Sequence, residues 1–355
     1  MKVAIDISPI TSGHFLQHRV RGTGFYLNNL KEALLDKYGE DEFVFTKRGD
    51  KLDKKIDLIH YPYFEPFFLT LSLRKPVKTI ITVHDLTPIV FRDDFPSGLK
   101  GEVKWQIQKQ ILKNSDFIIT DSESSKKDIV KATNYNESKI KVIYLAAGKH
   151  FRPVSDEKKR EIIRKFNLPQ KYALYVGDVT SNKNLPRLIE AVNRTSYPLV
   201  IVGQAFENED YDKSNLWNKD LKKSQELAAR NKNIISLGFV ENEDLVGLYN
   251  AAIALCMPSL YEGFGLPILE AMQSGCPVIT SKSGSLPEVA GKAAYYVDPL
   301  SIDSIKDGIE KVLGDHDLPD KLIKLGLENA KKFTWEKTAM ETYEVYKKIS
   351  ETSNG

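Results

Sequence analysis

The residues best equipped to do chemistry lie in one stretch, Pro258-Ser-Leu-Tyr-Glu-Gly-Phe-Gly-Leu-Pro-Ile-Leu-Glu270. It follows an apolar run, Ala251 to Met257, that reads as a short buried strand. Two glycines bracket an aromatic, Gly263-Phe264-Gly265, and Pro267 stands where a helix can begin without missing its N–H. A strand, a glycine turn and a helix start together gather backbone N–H groups that attract an anion, and glycine lets a ligand approach the main chain. Carboxylates flank the turn at Glu262 and Glu270. They would repel a bare phosphate but accept hydrogen bonds from sugar hydroxyls. Amides for phosphate beside carboxylates for hydroxyls point to a ligand holding both, such as a nucleotide sugar.

Other chemically capable residues stand at predicted strand ends. Tyr175-Val-Gly-Asp-Val-Thr-Ser-Asn-Lys-Asn184 occupies a strand-to-helix turn, where Lys183 can meet a phosphate as a point charge. Thr82-Val-His-Asp85 ends a strand, and in open parallel sheets ligands gather beyond the carboxyl ends of strands. Asp85 reads either as orienting the His84 ring or as ending the strand. In Asp121-Ser-Glu-Ser-Ser125, Ser122 reads as a helix N-cap. Gly22-Thr23-Gly24 lacks the G-x-G-x-x-G of a dinucleotide site and reads as a loop, with Thr23 capping the helix that follows. No Asp-x-Asp metal motif and no enzymatic nucleophile stand out.

Alternating elements position these groups. Strands fit Val3–Ile7, Glu42–Thr46, Asp57–Tyr61, Thr79–His84, Phe117–Asp121 and Lys141–Tyr144, with helices at Phe25–Tyr38, Gly101–Lys113 and Ser124–Ala132. After a linker near Phe151–Ser155, stiffened by Pro153, a second series begins. Its strands fit Tyr172–Gly177, Leu199–Gly203, Ile234–Phe239, Ala252–Met257, Val278–Ser281 and Ala294–Val297. Strands alternating with helices require crossover connections, hence parallel α/β sheets. The 355 residues are enough for two domains with separate cores. The predicted domains are 1–152, joined by a C-terminal helix over 335–355, and 153–334. A net charge of +3 gives no ground for a nucleic-acid partner. Cys256 and Cys276 lie in apolar runs and read as reduced core residues. Asp6 interrupts the apolar start, so no signal-peptide core is read there. No run approaches the ~20 apolar residues of a membrane helix. A cytoplasmic protein is expected.

Glu262 and Glu270 form E-x7-E, and the fuller string E-G-F-G-L-P-x-L-E-A-M followed by G-C-P-V-I-T-S resembles the donor site of retaining glycosyltransferases of the GT-B fold, family four, group 1 type. The resemblance extends over nearly the whole chain. It implies two Rossmann-like, doubly wound parallel-sheet domains facing a cleft, with an acceptor-side first domain and a nucleotide-sugar-binding second one. It implies transfer of a hexose from a nucleoside-diphosphate sugar to a glycan or lipid-linked glycan, with retention, without a divalent metal and without a cofactor. His84, Lys183 and Glu262 would be catalytic. Gly22, Thr23, Gly24, Gly263, Phe264, Gly265 and Glu270 would bind the donor: Glu262 through the transferred sugar's hydroxyls, Glu270 through the ribose diol, His84 through the sugar. The R-G-T-G-F-Y loop resembles that of bacterial mannosyl- and other hexosyltransferases of polysaccharide assembly. The resemblance leaves open a peripheral contact with the inner membrane surface. The family's phosphate loop carries an arginine before its lysine; here Thr180, Ser181 and Asn182 fill that segment, and Arg19, Arg21 and Lys282 are the cations able to substitute. The competing readings are a nucleotide-sugar-binding protein weakened in transfer, and a GT-B hydrolase or epimerase of nucleotide sugars, which would need a water-activating base.

Overall fold

A computed structural model of the chain describes residues 1–11, 21–40, 42–75 and 77–352, Arg21 in its backbone only. The chain divides into two compact units, one of Met1–Arg92, Ser97–Ala146 and Phe333–Gly355, the other of Asp93–Pro96 and Ala147–Lys332.

The first unit runs β1 (Val3–Asp6), α1 (Arg21–Tyr38), β2 (Phe43–Thr46), β3 (Leu58–Tyr61), β4 (Lys78–Thr82), α2 (Thr87–Val90), α3 (Gly98–Lys113), β5 (Phe117–Thr120), α4 (Glu123–Thr133) and β6 (Ile140–Val142). Its six strands lie in the order β2-β1-β3-β4-β5-β6, all parallel. The second unit runs α5 (Asp156–Lys165), β7 (Ala173–Val176), α6 (Leu185–Val192), β8 (Leu199–Val202), α7 (Gln204–Glu207), α8 (Lys219–Ala228), β9 (Ile234–Ser236), α9 (Asn242–Ala251), β10 (Ala254–Met257), α10 (Leu266–Gln273), β11 (Val278–Ser281), α11 (Leu286–Ala290), β12 (Tyr295–Val297), α12 (Ile302–Gly314) and α13 (Leu318–Ala330). Its order is β12-β11-β10-β7-β8-β9, again all parallel. Central strands such as β3, β8 and β10 are buried at every residue, as sheets covered by helices on both faces require. Both cysteines are buried and free. Among the described residues no helix is long and apolar enough to cross a membrane.

The last helix, α14 (Trp335–Glu351), packs on α1 of the first unit, Trp335 against Phe25 edge to face and Tyr343 stacked on Tyr38. Two expectations need correction. The helix expected from Phe25 already runs at Arg21, so Gly22, Thr23 and Gly24 are helical and Thr23 is no N-cap. Tertiary packing outweighs the ~1 kcal/mol helix cost of each glycine: Gly24 lies over Ile10, with room for a Cβ only 3.6 Å from it. The four- and five-residue helices α2, α7 and α11 are too short to show a period in sequence.

A line of buried polar side chains crosses this unit. Tyr346 Oη of α14 bonds His60 Nδ1 at 2.7 Å, and His60 Nε2 bonds Thr82 Oγ1 at 2.8 Å. Thr82 Oγ1 also meets Tyr26 Oη at 3.2 Å. His60 has no exposed surface, and burial pulls its pKa down to about 3. It is neutral in the fold and gains a proton at an ordinary pKa near 6.5 when unfolded. Such a depressed group stabilises the fold fully above the unfolded pKa and loses that contribution as pH falls towards the folded one. Relative to His60→Gln, the parent protein is therefore expected to lose roughly 2 kcal/mol of unfolding free energy between pH 7.5 and 5. Urea unfolding of both proteins across that range measures it; parallel pH curves would contradict a neutral His60.

Candidate functional site

In the second unit the sheet's order reverses between β7 and β10, which are neighbours although β8 and β9 come between them in sequence. The loops leaving their carboxyl ends diverge there, the crevice where open α/β sheets place ligands. The loop after β7 carries Lys183 and the loop after β10 carries Glu262. They meet: Lys183 Nζ lies 2.6 Å from Glu262 Oε2. The other carboxylate oxygen, Oε1, accepts from Ser259 Oγ at 2.7 Å. Glu262 is 5% exposed, so its charge depends on these partners.

Two neighbouring segments fix the Glu262 loop through its backbone. Asn182 Nδ2 donates to the Tyr261 carbonyl at 3.0 Å, and the Asn182 carbonyl accepts Leu260 N–H at 2.7 Å. Asn184, left-handed at φ +61°, donates to the carbonyls of Pro258 and Pro299. From the last residue of β11, Ser281 Oγ donates to the Ser259 carbonyl, and from the turn that follows, Ser285 Oγ lies 3.0 Å from the Glu262 carbonyl and 2.8 Å from that of Phe264. Gly284, at φ +57°, packs so closely that a Cβ there would stand 2.7 Å from Glu262 O and 2.9 Å from Glu262 N. Gly265, at φ +97°, precedes α10, which opens with Pro267 in its first turn.

Glu270 is the fifth residue of α10, not in its first turn as read from sequence. Tyr249 Oη donates to its Oε2 at 2.8 Å. Burial lifts the Glu270 pKa to about 7, against the lowering effect of that hydrogen bond. The segment expected to hold the phosphate-loop arginine is committed elsewhere: Asn182 is buried and its amide ties the loop to Tyr261. Of the possible substitutes, Arg19 and the Arg21 side chain lie outside the described residues, and Lys282 Nζ stands over the Tyr296 ring.

In the first unit His84 lies two residues past β4. Its Nδ1 is 2.6 Å from Asp121 Oδ2, an aspartate just past the neighbouring β5. Asp85 does not orient the ring: its Oδ1 accepts Thr87 N–H and begins α2. Ser122 caps α4 by accepting Ser125 N–H at 3.0 Å, as expected. Sequence reading passed over Asp121, Ser259, Ser285, Gly284 and Tyr249 as site residues. Ser259 alone carried a signal, its place three residues before Glu262. The rest depend on which strands become neighbours.

Residues 156–333 match the family described as glycosyl transferases group 1, and residues 22–146 match glycosyltransferase family 4. The chain is 34% identical over 301 residues to O-antigen chain mannosyltransferase B of Escherichia coli, covering 82% of this chain and 75% of that protein. It is 27% identical over 286 residues to the E. coli serotype-specific mannosyltransferase WbdA, spanning 78% of this chain but only 34% of that longer protein. Among solved structures, the Anabaena protein HepE, in complex with UDP and glucose, superposes with a TM-score of 0.73 at 14% identity, over 98% of this chain and 99% of that one. That last likeness is one of fold.

The Gly284 geometry gives a test. Gly284→Ala should destabilise the protein by roughly 1–3 kcal/mol, from backbone strain and displacement of Glu262. Gly22→Ala, with nothing within 4 Å of the new Cβ and a helical backbone, should leave the melting temperature equal or higher. Differential scanning calorimetry of both variants measures the contrast; a Gly284→Ala protein as stable as its parent would show that the turn does not brace Glu262.

Proposed function

The chain belongs to the group 1, family 4 glycosyltransferases of the GT-B fold, and from that premise we propose that it transfers mannose from a nucleoside-diphosphate sugar to a growing glycan, with retention and without a divalent metal. The observation that carries the reading is the contact of Lys183 with Glu262 at the sheet's switch point. One is a compact cation suited to a diphosphate, the other an acceptor suited to sugar hydroxyls. Held 2.6 Å apart, they mark where the phosphate and sugar halves of one ligand would meet. Glu270, on the helix that leaves the same loop, is assigned the ribose diol. Gly263, Phe264 and Gly265 are assigned to the diphosphate, Gly22, Thr23 and Gly24 to the donor's approach, and His84 to the transferred sugar.

Chemistry proceeds as the bond from the anomeric carbon to the leaving phosphate oxygen breaks. Positive charge grows on the sugar and negative charge on the diphosphate. Lys183 gains attraction as that negative charge develops, which is the differential binding that accelerates a reaction. The acceptor hydroxyl attacks from the same face, passing its proton to the departing phosphate oxygen. Mannose and a polysaccharide acceptor are favoured by the names of the relatives, O-antigen mannosyltransferases.

Two measurements test the reading. Glu262→Ala should fold with a near-normal melting temperature and lose about 10²–10³-fold in turnover with a panel of GDP- and UDP-hexoses, scored by mass spectrometry. Near-parental turnover would remove Glu262 from the reaction. Glu270 gives a pH signature, because a carboxylate accepts two hydroxyls and a carboxylic acid offers a poorer match. Nucleoside-diphosphate affinity, measured by calorimetry with EDTA present, should weaken as pH falls below about 7 and become flat in Glu270→Gln. An identical pH slope in both proteins would move the ribose elsewhere.

A further inference from the structure

We propose that Asp121 is a positioning residue for His84, holding the imidazole protonated on both nitrogens so that Nε2–H is offered as a cationic donor to an oxygen of the sugar nucleotide; the ligand's identity rests on the transferase reading above.

The geometry begins with the sheet. β4 and β5 are parallel neighbours, so the residues just past their carboxyl ends, His84 and Asp121, share one edge. The Nδ1–Oδ2 separation of 2.6 Å is short, as hydrogen bonds between charged partners are. Asp121 is 2% exposed, and its other oxygen, Oδ1, is buried with no hydrogen-bond partner. A buried carboxylate with one partner needs that partner to carry the balancing charge. The far nitrogen of the ring, Nε2, is likewise buried without a partner in hydrogen-bond geometry, although the His84 side chain as a whole is 20% exposed. One end of the imidazole is anchored to a carboxylate, while the other lies near the Pro62 carbonyl without completing a hydrogen bond to it. The Tyr26 ring, edge to face at 4.8 Å and 85°, restricts the plane of the imidazole.

The surroundings favour the cation. Burial works against it, but the charge and hydrogen bond of Asp121, then Asp85, then the Pro62 carbonyl outweigh burial and raise the His84 pKa. His60, the other buried histidine of this unit, is kept neutral first by burial and then by the charge of His84. Tyr26 is kept neutral in the same way, burial raising its hydroxyl's pKa. The groups that face His84 are therefore negative or neutral. A neutral imidazole bonded to Asp121 through Nδ1–H would present only a lone pair at Nε2. The doubly protonated ring presents a charged N–H donor, able to hold a sugar oxygen that a lone pair could not.

The test reads the ring directly. In ¹⁵N-labelled full-length protein without ligand, the His84 ring nitrogens are followed by NMR from pH 5 to 9. The parent's His84 should titrate above the ordinary value near 6.5, with both nitrogens protonated at pH 6. In Asp121→Asn the midpoint should drop by about one unit or more, and the high-pH limb of turnover should move down with it, a loss of about 10-fold or more at pH 7.5. In a His84→Gln background, Asp121→Asn should change turnover by less than about 2-fold, because it acts through the ring. A parental midpoint at or below 6.5 would overturn the proposal without any variant. An equal loss from Asp121→Asn with and without His84 would reduce Asp121 to a structural role. A high midpoint in a protein that transfers from no nucleotide sugar would leave the dyad standing and overturn the transferase reading.

Discussion

The second unit is organised around one constraint, a carboxylate that must stay charged while almost wholly withdrawn from water. Glu262 satisfies it with a hydroxyl three residues earlier and an ammonium from a different loop. Desolvating a carboxylate costs several kcal/mol unless paired and hydrogen-bonded, so both partners must arrive with little freedom. The strand order supplies the ammonium by setting β7 beside β10. The hydrogen bonds from Asn182, Asn184, Ser281 and Ser285 to backbone carbonyls of the loop then fix it in place. Gly284 completes the arrangement, since any side chain there would occupy the space of Glu262's own backbone.

The first unit solves a related problem by a different route. Its buried polar line, Tyr346 to His60 to Thr82 to Tyr26, is a chain of neutral groups that satisfy one another and tie the last helix to the sheet. His84 and Asp121 stand beside that line without a hydrogen bond to it, touching it through the Tyr26 ring. Two histidines in one unit are thus driven in opposite directions. His60, bonded to hydroxyls, is held neutral; His84, bonded to a carboxylate, is pushed towards the cation.

What could be read from the sequence follows from the range of the physics involved. The strands were legible because each is a short apolar run between turn residues, and all twelve expected segments overlap a strand of the fold, ten of them containing it whole. The E-x7-E string was legible because its residues share one loop and one helix. The cap at Ser122 was legible because a cap is local. The role of Asp85 stayed open between two readings because a neighbour in sequence is a natural partner for a histidine, whereas the partner comes from the next strand, 37 positions away. Thr23 was misread because glycines on both sides look like a loop until packing against Ile10 is known. The contribution of Ser285 and Gly284 lies in a close approach of two backbones that only the sheet order creates.

The absent arginine acquires a structural reason in the same terms. The side chain of Asn182 is held within the loops: its Nδ2 donates to the Tyr261 carbonyl and its Oδ1 accepts from Thr180 Oγ1, while the Asn182 backbone carbonyl takes Leu260 N–H, joining the two loops at the switch point. An arginine at that position would have to give up the side-chain bond, and the buried carbonyl of Tyr261 would lose its donor. The chain therefore trades a cation for a brace on the Glu262 loop. The consequence falls on Lys183, whose charge is matched by Glu262. On the proposed reading, a diphosphate at Lys183 would compete with a carboxylate already 2.6 Å away and would free an oxygen of Glu262 for a hydroxyl. The cation and the sugar acceptor would then become available together, coupling phosphate binding to sugar recognition through this ion pair.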